Sequence, residues 1–118
     1  MWLGSAALGL PMDQAKIARI SKALSDPARL RIYAAISANR EMFCGELVET
    51  HGLTPGTISH HLKVLADANL IECRREGQFI YNRSRPETIR EYSRALAKIA
   101  GKIAAKTIAG KTKAASKS

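Results

Sequence analysis

The sequence lacks the features that define several large classes of protein. Two of its 118 residues are cysteine, so a disulfide framework is excluded and we expect a reducing, cytoplasmic setting. No apolar run approaches the ~20 residues that a membrane-spanning helix needs. We find no nucleophile–base pairing, phosphate-cradling loop or paired carboxylates with a plausible site, so we do not expect an enzyme. Residues 1–11 are apolar but lack a basic start and end at Pro11, which disfavours a signal peptide.

Acidic residues are absent after Glu91, where seven basic residues follow. The formal net charge is +9, from 19 Lys and Arg against 10 Asp and Glu. Residues 1–91 hold twelve basic and ten acidic residues, so the positive charge marks the end of the chain rather than its centre. We divide the chain into an N-terminal arm or mis-start (1–12), one small domain (13–108) and a basic, disordered tail (109–118). The tail either solubilises the protein or binds DNA non-specifically.

Residues 54–65 predict a helix with one apolar and one polar face. Thr54 is a good N-cap, and Pro55 fits the first helical turn. Three apolar residues recur at helical spacing and should face a core: Ile58, Leu62 and Leu65. The opposite face has hydrogen-bonding and cationic side chains and no acid, which suits DNA base edges, although an ordinary amphipathic helix would also fit. These candidates for base readout are Thr57, Ser59, His60 and Lys63.

The segments on either side strengthen the DNA interpretation. Residues 45–53 predict a short helix that stops at Gly52, and Leu53 alone separates it from the cap of the next helix. Two short helices joined by such a turn form a helix-turn-helix. Residues 70–74 and 79–83 have strand composition, with a turn at 75–78, and form a basic hairpin. A solvated hairpin tip would also collect arginines, but after a helix-turn-helix we expect backbone contacts from Thr54, Arg74, Arg75, Gln78 and Arg83.

Two further helices carry apolar stripes. Residues 13–24 predict the first helix, and the last begins near Pro86 with apolar steps of 3, 4, 3 and 4 residues. Between them, Asp26 should cap a second helix that buries Leu30, Tyr33 or Ala34, and Ile36. Both stripes could belong to a monomer's core, but the domain looks too small to cover them. The stripes comprise Ile17, Ile20 and Leu24 in the first helix and Ile89, Tyr92, Leu96, Ile99 and Ile103 in the last.

Three segments in order resemble the ArsR/SmtB family of winged-helix repressors. Residues 23–32, ALSDPARLRI, resemble its "aLadptRlrIL" opening, although Ala28 stands where the family usually has Thr. Residues 59–65, SHHLKVL, resemble its "SxHLxxL" recognition helix, with His61 at the motif histidine, and residues 69–81 resemble its wing. The resemblance spans roughly residues 15–100. It implies a mainly α-helical winged helix-turn-helix with a small β-hairpin wing, which dimerises through its first and last helices.

The resemblance also implies a function and its partners. We expect a sequence-specific regulator, a dimeric repressor that reads an inverted repeat in double-stranded DNA. The alternative is an architectural protein that binds DNA non-specifically through its lysine-rich tail. The inducer, if there is one, is not identified by the sequence.

The family's metal sites are missing from this sequence. One site uses Cys-x-Cys at the start of the third helix, where Phe43 and Gly45 occupy the two positions and a single Cys44 lies between them. The other uses Asp and His pairs on the last helix, and residues 86–110 contain no Asp, His or Cys. We therefore expect no metal and no cofactor. Cys44 and Cys73 could form a thiol switch, or could simply be small packing residues.

Overall fold

The computed structural model describes residue 2 and residues 12–116, with side chains described for residue 2 and residues 12–101. In this part of the chain, helices α1 to α4 precede a two-stranded wing, and a long helix α5 follows it. A short strand β1 lies between α2 and α3. The elements are α1 (Gln14–Leu24), α2 (Pro27–Ser37), β1 (Met42–Phe43), α3 (Cys44–His51), α4 (Pro55–Asp67), β2 (Ile71–Glu76), β3 (Phe79–Ser84) and α5 (Pro86–Ser116).

Local capping sets where three of the helices begin. The side chains of Asp13, Asp26 and Thr54 accept hydrogen bonds from backbone N–H groups in the first turns of α1, α2 and α4. These bonds satisfy donors that have no partner within the helix. α3 ends at Gly52, whose φ of +63° is a left-handed conformation that glycine adopts at little cost. The caps predicted at Asp26 and Thr54 and the predicted stop of α3 are confirmed.

The three strands form one antiparallel sheet in the order β1-β3-β2. β1 was not expected, since two residues carry no periodic signal. The wing turn is shorter than predicted: Glu76 pairs with Phe79, so Arg75 and Glu76 belong to β2 and the loop is Gly77-Gln78. Gly77 has φ +63°, which suits a two-residue hairpin loop that follows the twist of the strands.

The core lies where α1, α2, α3 and α4 meet the start of β2. Ile58, Leu62 and Leu65 of α4 are buried as predicted, at 0%, 5% and 0% exposure. The prediction for α2 is partly wrong, because Leu30 is 47% exposed and Ile32 is buried instead. The predicted burial of Ile36 is confirmed. The buried apolar residues are Ile20, Ala23, Ile32, Ile36, Met42, Leu47, Ile58, Leu62, Leu65, Ala68, Leu70 and Ile71.

Helix α5 extends well beyond the packed part of the molecule. Ile89 and Tyr92 pack against the core, and the Tyr92 hydroxyl lies 2.7 Å from Ser21 Oγ of α1. The helix is described as far as Ser116, and the division of the chain into an arm, a domain and a tail stays a prediction. Alanine and lysine, which are common in α5, both favour helix. No helix in the described part of the chain has the length and apolar character of a membrane span.

Candidate nucleic-acid interface

Helix α4 presents a polar face that is open to solvent. All four predicted base-reading residues, Thr57, Ser59, His60 and Lys63, are exposed. Lys63 Nζ lies 3.5 Å from Asp67 Oδ2 of the last turn, but both side chains are more than half exposed. An ion pair of this kind contributes little, so the lysine remains available to a stronger anionic partner. At the helix start, the Thr54 hydroxyl accepts from Thr57 N–H at 3.2 Å and lies 2.8 Å from the Thr57 hydroxyl oxygen.

A part-buried set of hydrogen bonds joins α4 to the first two helices, α1 and α2. Arg29 of α2 donates from Nε to the carbonyl oxygen of Ala23 at 2.6 Å, at the end of α1, where helical carbonyls lack partners. Its Nη1 lies 3.3 Å from Nδ1 of the buried His61. A guanidinium can only donate, so Nδ1 must be the unprotonated acceptor. Arg29 therefore links the end of α1 to the middle of α4.

The environment of His61 favours its neutral form. Burial lowers the pKa of the imidazole below its usual value, and the positive charges of Arg29 and His60 act in the same direction. The carboxylate of Asp26 opposes them but does not overcome the effect of burial. At neutral pH the ring is uncharged and can accept the hydrogen bond from Arg29.

The wing arginines fall into two groups. Arg74 has a side chain only 19% exposed, donates to Glu41 at 3.1 Å and to Glu76, and lies over the ring of Tyr81 at 4.6 Å. Arg83 pairs with Glu72 across the hairpin at 3.1 Å. Arg75 and Gln78 are exposed, and among the described residues no ion pair involves Arg75. These contacts favour Arg75 and Gln78, rather than Arg74 and Arg83, as DNA contacts.

One residue of the N-terminal arm reaches the paired arginines. The ring of Trp2 lies 4.1 Å from the guanidinium carbon of Arg83 and 5.2 Å from that of Arg74. Aromatic faces attract cations at such distances. The rest of the arm, at residues 1 and 3–11, is outside the described residues.

The two cysteines lie on either side of one buried amide. Asn82 of β3 is fully buried; its Nδ2 donates to the Met42 carbonyl at 3.2 Å and to Cys44 Sγ at 3.8 Å. The thiol of Cys73 donates to Asn82 Oδ1 at 3.3 Å. Burial raises the pKa of the Cys73 thiol, with Cys44 and Glu72 adding to the shift, which favours the less reactive protonated form. The thiol switch stays a prediction, and a disulfide would have to displace the Asn82 side chain.

Comparison with known proteins places these features in one family. A helix-turn-helix domain family matches residues 24–74. The transcriptional repressor SdpR of Bacillus subtilis is 39% identical over 62 residues, which cover 52% of this chain and 68% of that protein. A winged helix-turn-helix DNA-binding domain from Mycobacterium bovis, a homodimeric domain of a possible ArsR-family regulator, superposes with a TM-score of 0.60 at 28% identity and covers 75% of this chain and 80% of its own. The chain belongs to the ArsR/SmtB family.

The fold agreement extends across most of this ArsR/SmtB regulator. An ArsR-like transcriptional regulator from Rhodococcus sp. RHA1 superposes with a TM-score of 0.72 over 83% of this chain and 92% of its own, at 23% identity. This superposition confirms the predicted winged helix-turn-helix architecture. The family match and the repressor relative described above confirm a DNA-binding transcriptional regulator, and the inverted-repeat operator stays a prediction.

The residues predicted to form the dimer surface differ in how far they are exposed on the protomer. Ile20 is 2% exposed within a single protomer, so it packs in the protomer's own core rather than on its surface. Ile17, Leu24, Ile89 and Tyr92 are partly buried. Leu96 and Ile99 of α5 are 40% and 61% exposed, and the Ile103 side chain is outside the described set. The exposed part of the two apolar stripes is thus on α5.

The ArsR/SmtB metal positions have no donors here. Phe43 is at the N-cap position of α3, where its backbone N–H donates to Glu46 Oε1 at 3.0 Å, and its ring makes an edge contact with Phe79 at 5.8 Å. Gly45 faces that ring so closely that an added Cβ would lie 2.6 Å from it. Within the described residues, no group of three or more His, Cys, Asp or Glu is arranged to hold a metal ion.

The sequence did not predict the residues whose side chains join elements that are distant in the chain. The resemblance placed His61 at the family's motif histidine but did not indicate its partner Arg29, and no pattern identified Asn82, Glu41 or Trp2. Asn82 left no local signal, because it lies between Tyr81 and Arg83 in the strand and nothing in that sequence marks it as buried. Glu41 and Trp2 left none, because their partners are more than 30 residues away in the chain.

Proposed function

We propose that the protein is a repressor that binds an inverted-repeat operator as a homodimer. The exposed face of α4 carries the proposal: four polar side chains project from a helix whose opposite face is fixed in the core. Short hydrogen-bonding groups and a lysine are the side chains that read base edges in the major groove. Arg75 and Gln78 of the wing and Thr54 at the start of α4 would contact the sugar-phosphate backbone.

Dimerisation gives the operator its symmetry. Leu96 and Ile99 offer an apolar strip on α5 that a second copy would cover. Two α4 helices related by a two-fold axis would read half-sites one DNA turn, or a multiple of a turn, apart. A sedimentation experiment tests this step: Ile99→Glu should give monomers that lose operator affinity. Ala97→Glu, which puts the same charge on an exposed neighbouring position, should remain dimeric.

The absence of the family's metal donors argues against a metal signal at the two positions described above. Both cysteines are free, and we place the protein in a reducing cytoplasm, where such thiols stay reduced.

A mobility-shift titration against DNA from upstream of the protein's own gene tests the function. The expected result is a discrete complex that survives excess random DNA, with a preference of roughly 10³ or more. A smear that disappears with competitor or moderate salt would contradict sequence-specific repression from this promoter. It would favour non-specific binding of the architectural kind, whose affinity falls steeply with salt.

A further inference from the structure

A cavity of about 270 Å³ lies between helix α4 and the inner face of the wing. Strand alternation places Cys73 and Arg75 of β2 on the same face as Ile80 and Asn82 of β3, which is the face turned towards α4. The cavity therefore separates the two elements proposed to hold DNA. Its walls come from α3, α4, β2 and β3 and comprise Cys44, Ser59, Leu62, Lys63, Cys73, Arg75, Ile80 and Asn82.

The interior of the cavity is apolar in character. Leu62 is 5% exposed and Ile80 is half-buried. Asn82 is polar but is occupied, because its amide is bonded to Met42 and to both thiols. The walls therefore offer aliphatic and sulfur surface, against which an apolar group can replace water favourably.

The rim of the cavity is cationic. Lys63 and Arg75 are exposed at its edge, together with the Ser59 hydroxyl, and the lining contains no acid. Asp67 is 3.5 Å from Lys63 but lies outside the lining and is 63% exposed, so it screens the lysine only weakly. An apolar cleft with two cations at its mouth fits a molecule with an apolar body and an anionic head.

We propose that this cavity binds a small organic anion with a body of about one aromatic ring, and that the anion releases the protein from DNA. The size follows from the volume, which is slightly below the range of about 300–1,000 Å³ that holds drug-sized ligands. The regulatory half rests on the proposed function, in which Ser59, Lys63 and Arg75 also contact DNA. Because the ligand and DNA use the same side chains, each must weaken binding of the other.

Binding is tested on the full chain without DNA. Fluorinated aryl and alkyl carboxylates, with 4-fluorobenzoate first, are titrated with the protein and followed by ¹⁹F NMR. We expect saturable binding that is at least tenfold weaker in Arg75→Gln, which removes a rim cation, and in Ile80→Phe, which fills the cavity. Arg40→Gln, an exposed arginine outside the lining, is the matched control and should bind normally. Absence of saturable binding across the set, or equal binding by all variants, would overturn the proposal.

A second titration separates this proposal from the proposed function. The anion that binds best is added to the protein–operator complex, with sodium chloride at equal ionic strength as the control. We expect the anion to release DNA from the wild type but not from Ile80→Phe. Anion binding without release would overturn the regulatory half alone. Variant-sensitive anion binding in a protein that has no operator would instead leave the cavity assignment intact and reject the repressor.

Discussion

Helix α4 and the wing both carry basic and polar side chains, but these side chains differ in exposure and in ion pairing. On α4 the polar face is exposed, and its one ion pair joins two exposed residues one turn apart. On the wing, Arg74 pairs with Glu41, the residue before β1, and Arg83 pairs with Glu72 of the hairpin. Arg75 is exposed. Similar residue types thus form a candidate DNA-binding surface on α4, whereas on the wing most of them form ion pairs within the protein.

The largest expected effect contrasts the inner and outer faces of α4. Leu65→Ala should lower the free energy of unfolding by about 2–5 kcal/mol, because a fully buried side chain leaves a cavity in the core. His60→Ala, at an exposed position of the same helix, should stay within about 0.5 kcal/mol of wild type. Urea denaturation followed by circular dichroism measures both. Similar losses in the two variants would show that the faces of α4 are not divided as described.

A smaller effect is expected at the outer face alone. Ser59→Ala should weaken operator binding by about 1–3 kcal/mol, the usual contribution of one base contact, and leave binding to random DNA unchanged. Fluorescence anisotropy with the two DNAs at one salt concentration gives both values. An equal loss on both DNAs would move Ser59 from base readout to backbone contact.

The two adjacent arginines of β2 sharpen the comparison within the wing. Arg75→Ala should reduce the slope of log affinity against log salt by about 1, as loss of one phosphate contact does. Arg74→Ala should leave that slope unchanged and instead lower the thermal midpoint, because it removes the ion pairs of Arg74 with Glu41 and Glu76. If Arg74→Ala changed the slope and Arg75→Ala did not, our assignment of the wing arginines would be reversed.

The smallest effect concerns the pH dependence of stability through His61. Its pKa is lower in the folded protein than the 6.5 of the free side chain, so the unfolded chain binds the proton more readily. The contribution of His61 to stability is therefore complete above about pH 6.5 and is lost as pH falls through the folded pKa. His61→Gln should flatten this part of the profile in urea titrations. His60→Gln, the exposed neighbour, should keep it, and equal flattening would refute the assignment.

The contrast between α4 and the wing also explains what the sequence could predict. In α4 the faces follow from local spacing, so the caps, the buried residues and the exposed polar residues all agree with expectation. In the wing, the partner of each side chain depends on register. A four-residue turn would set Arg74 opposite Phe79, but the two-residue turn sets it opposite Tyr81. That small shift, and an acid 33 residues away at Glu41, decide the role of Arg74, and neither leaves a local pattern.

The apolar stripe of α5 shows a second limit of prediction from sequence. Its apolar spacing correctly indicated a non-polar stripe, but spacing alone cannot divide that stripe between the protomer's core and a partner. In the structure the division is gradual: Ile89 and Tyr92 pack on the core, and exposure rises to 61% at Ile99. The spacing does not predict how far along α5 the contacts with the protomer's core extend.

The most direct test of the account compares His60→Ala with Arg75→Ala on operator and random DNA under the same conditions. If α4 reads bases and Arg75 contacts the backbone, His60→Ala will lower the ratio of the two affinities about tenfold or more, which equals about 1.4 kcal/mol. Arg75→Ala will weaken binding to both DNAs and leave the ratio as it is in the wild type. A ratio that changes with Arg75→Ala and not with His60→Ala would contradict the account.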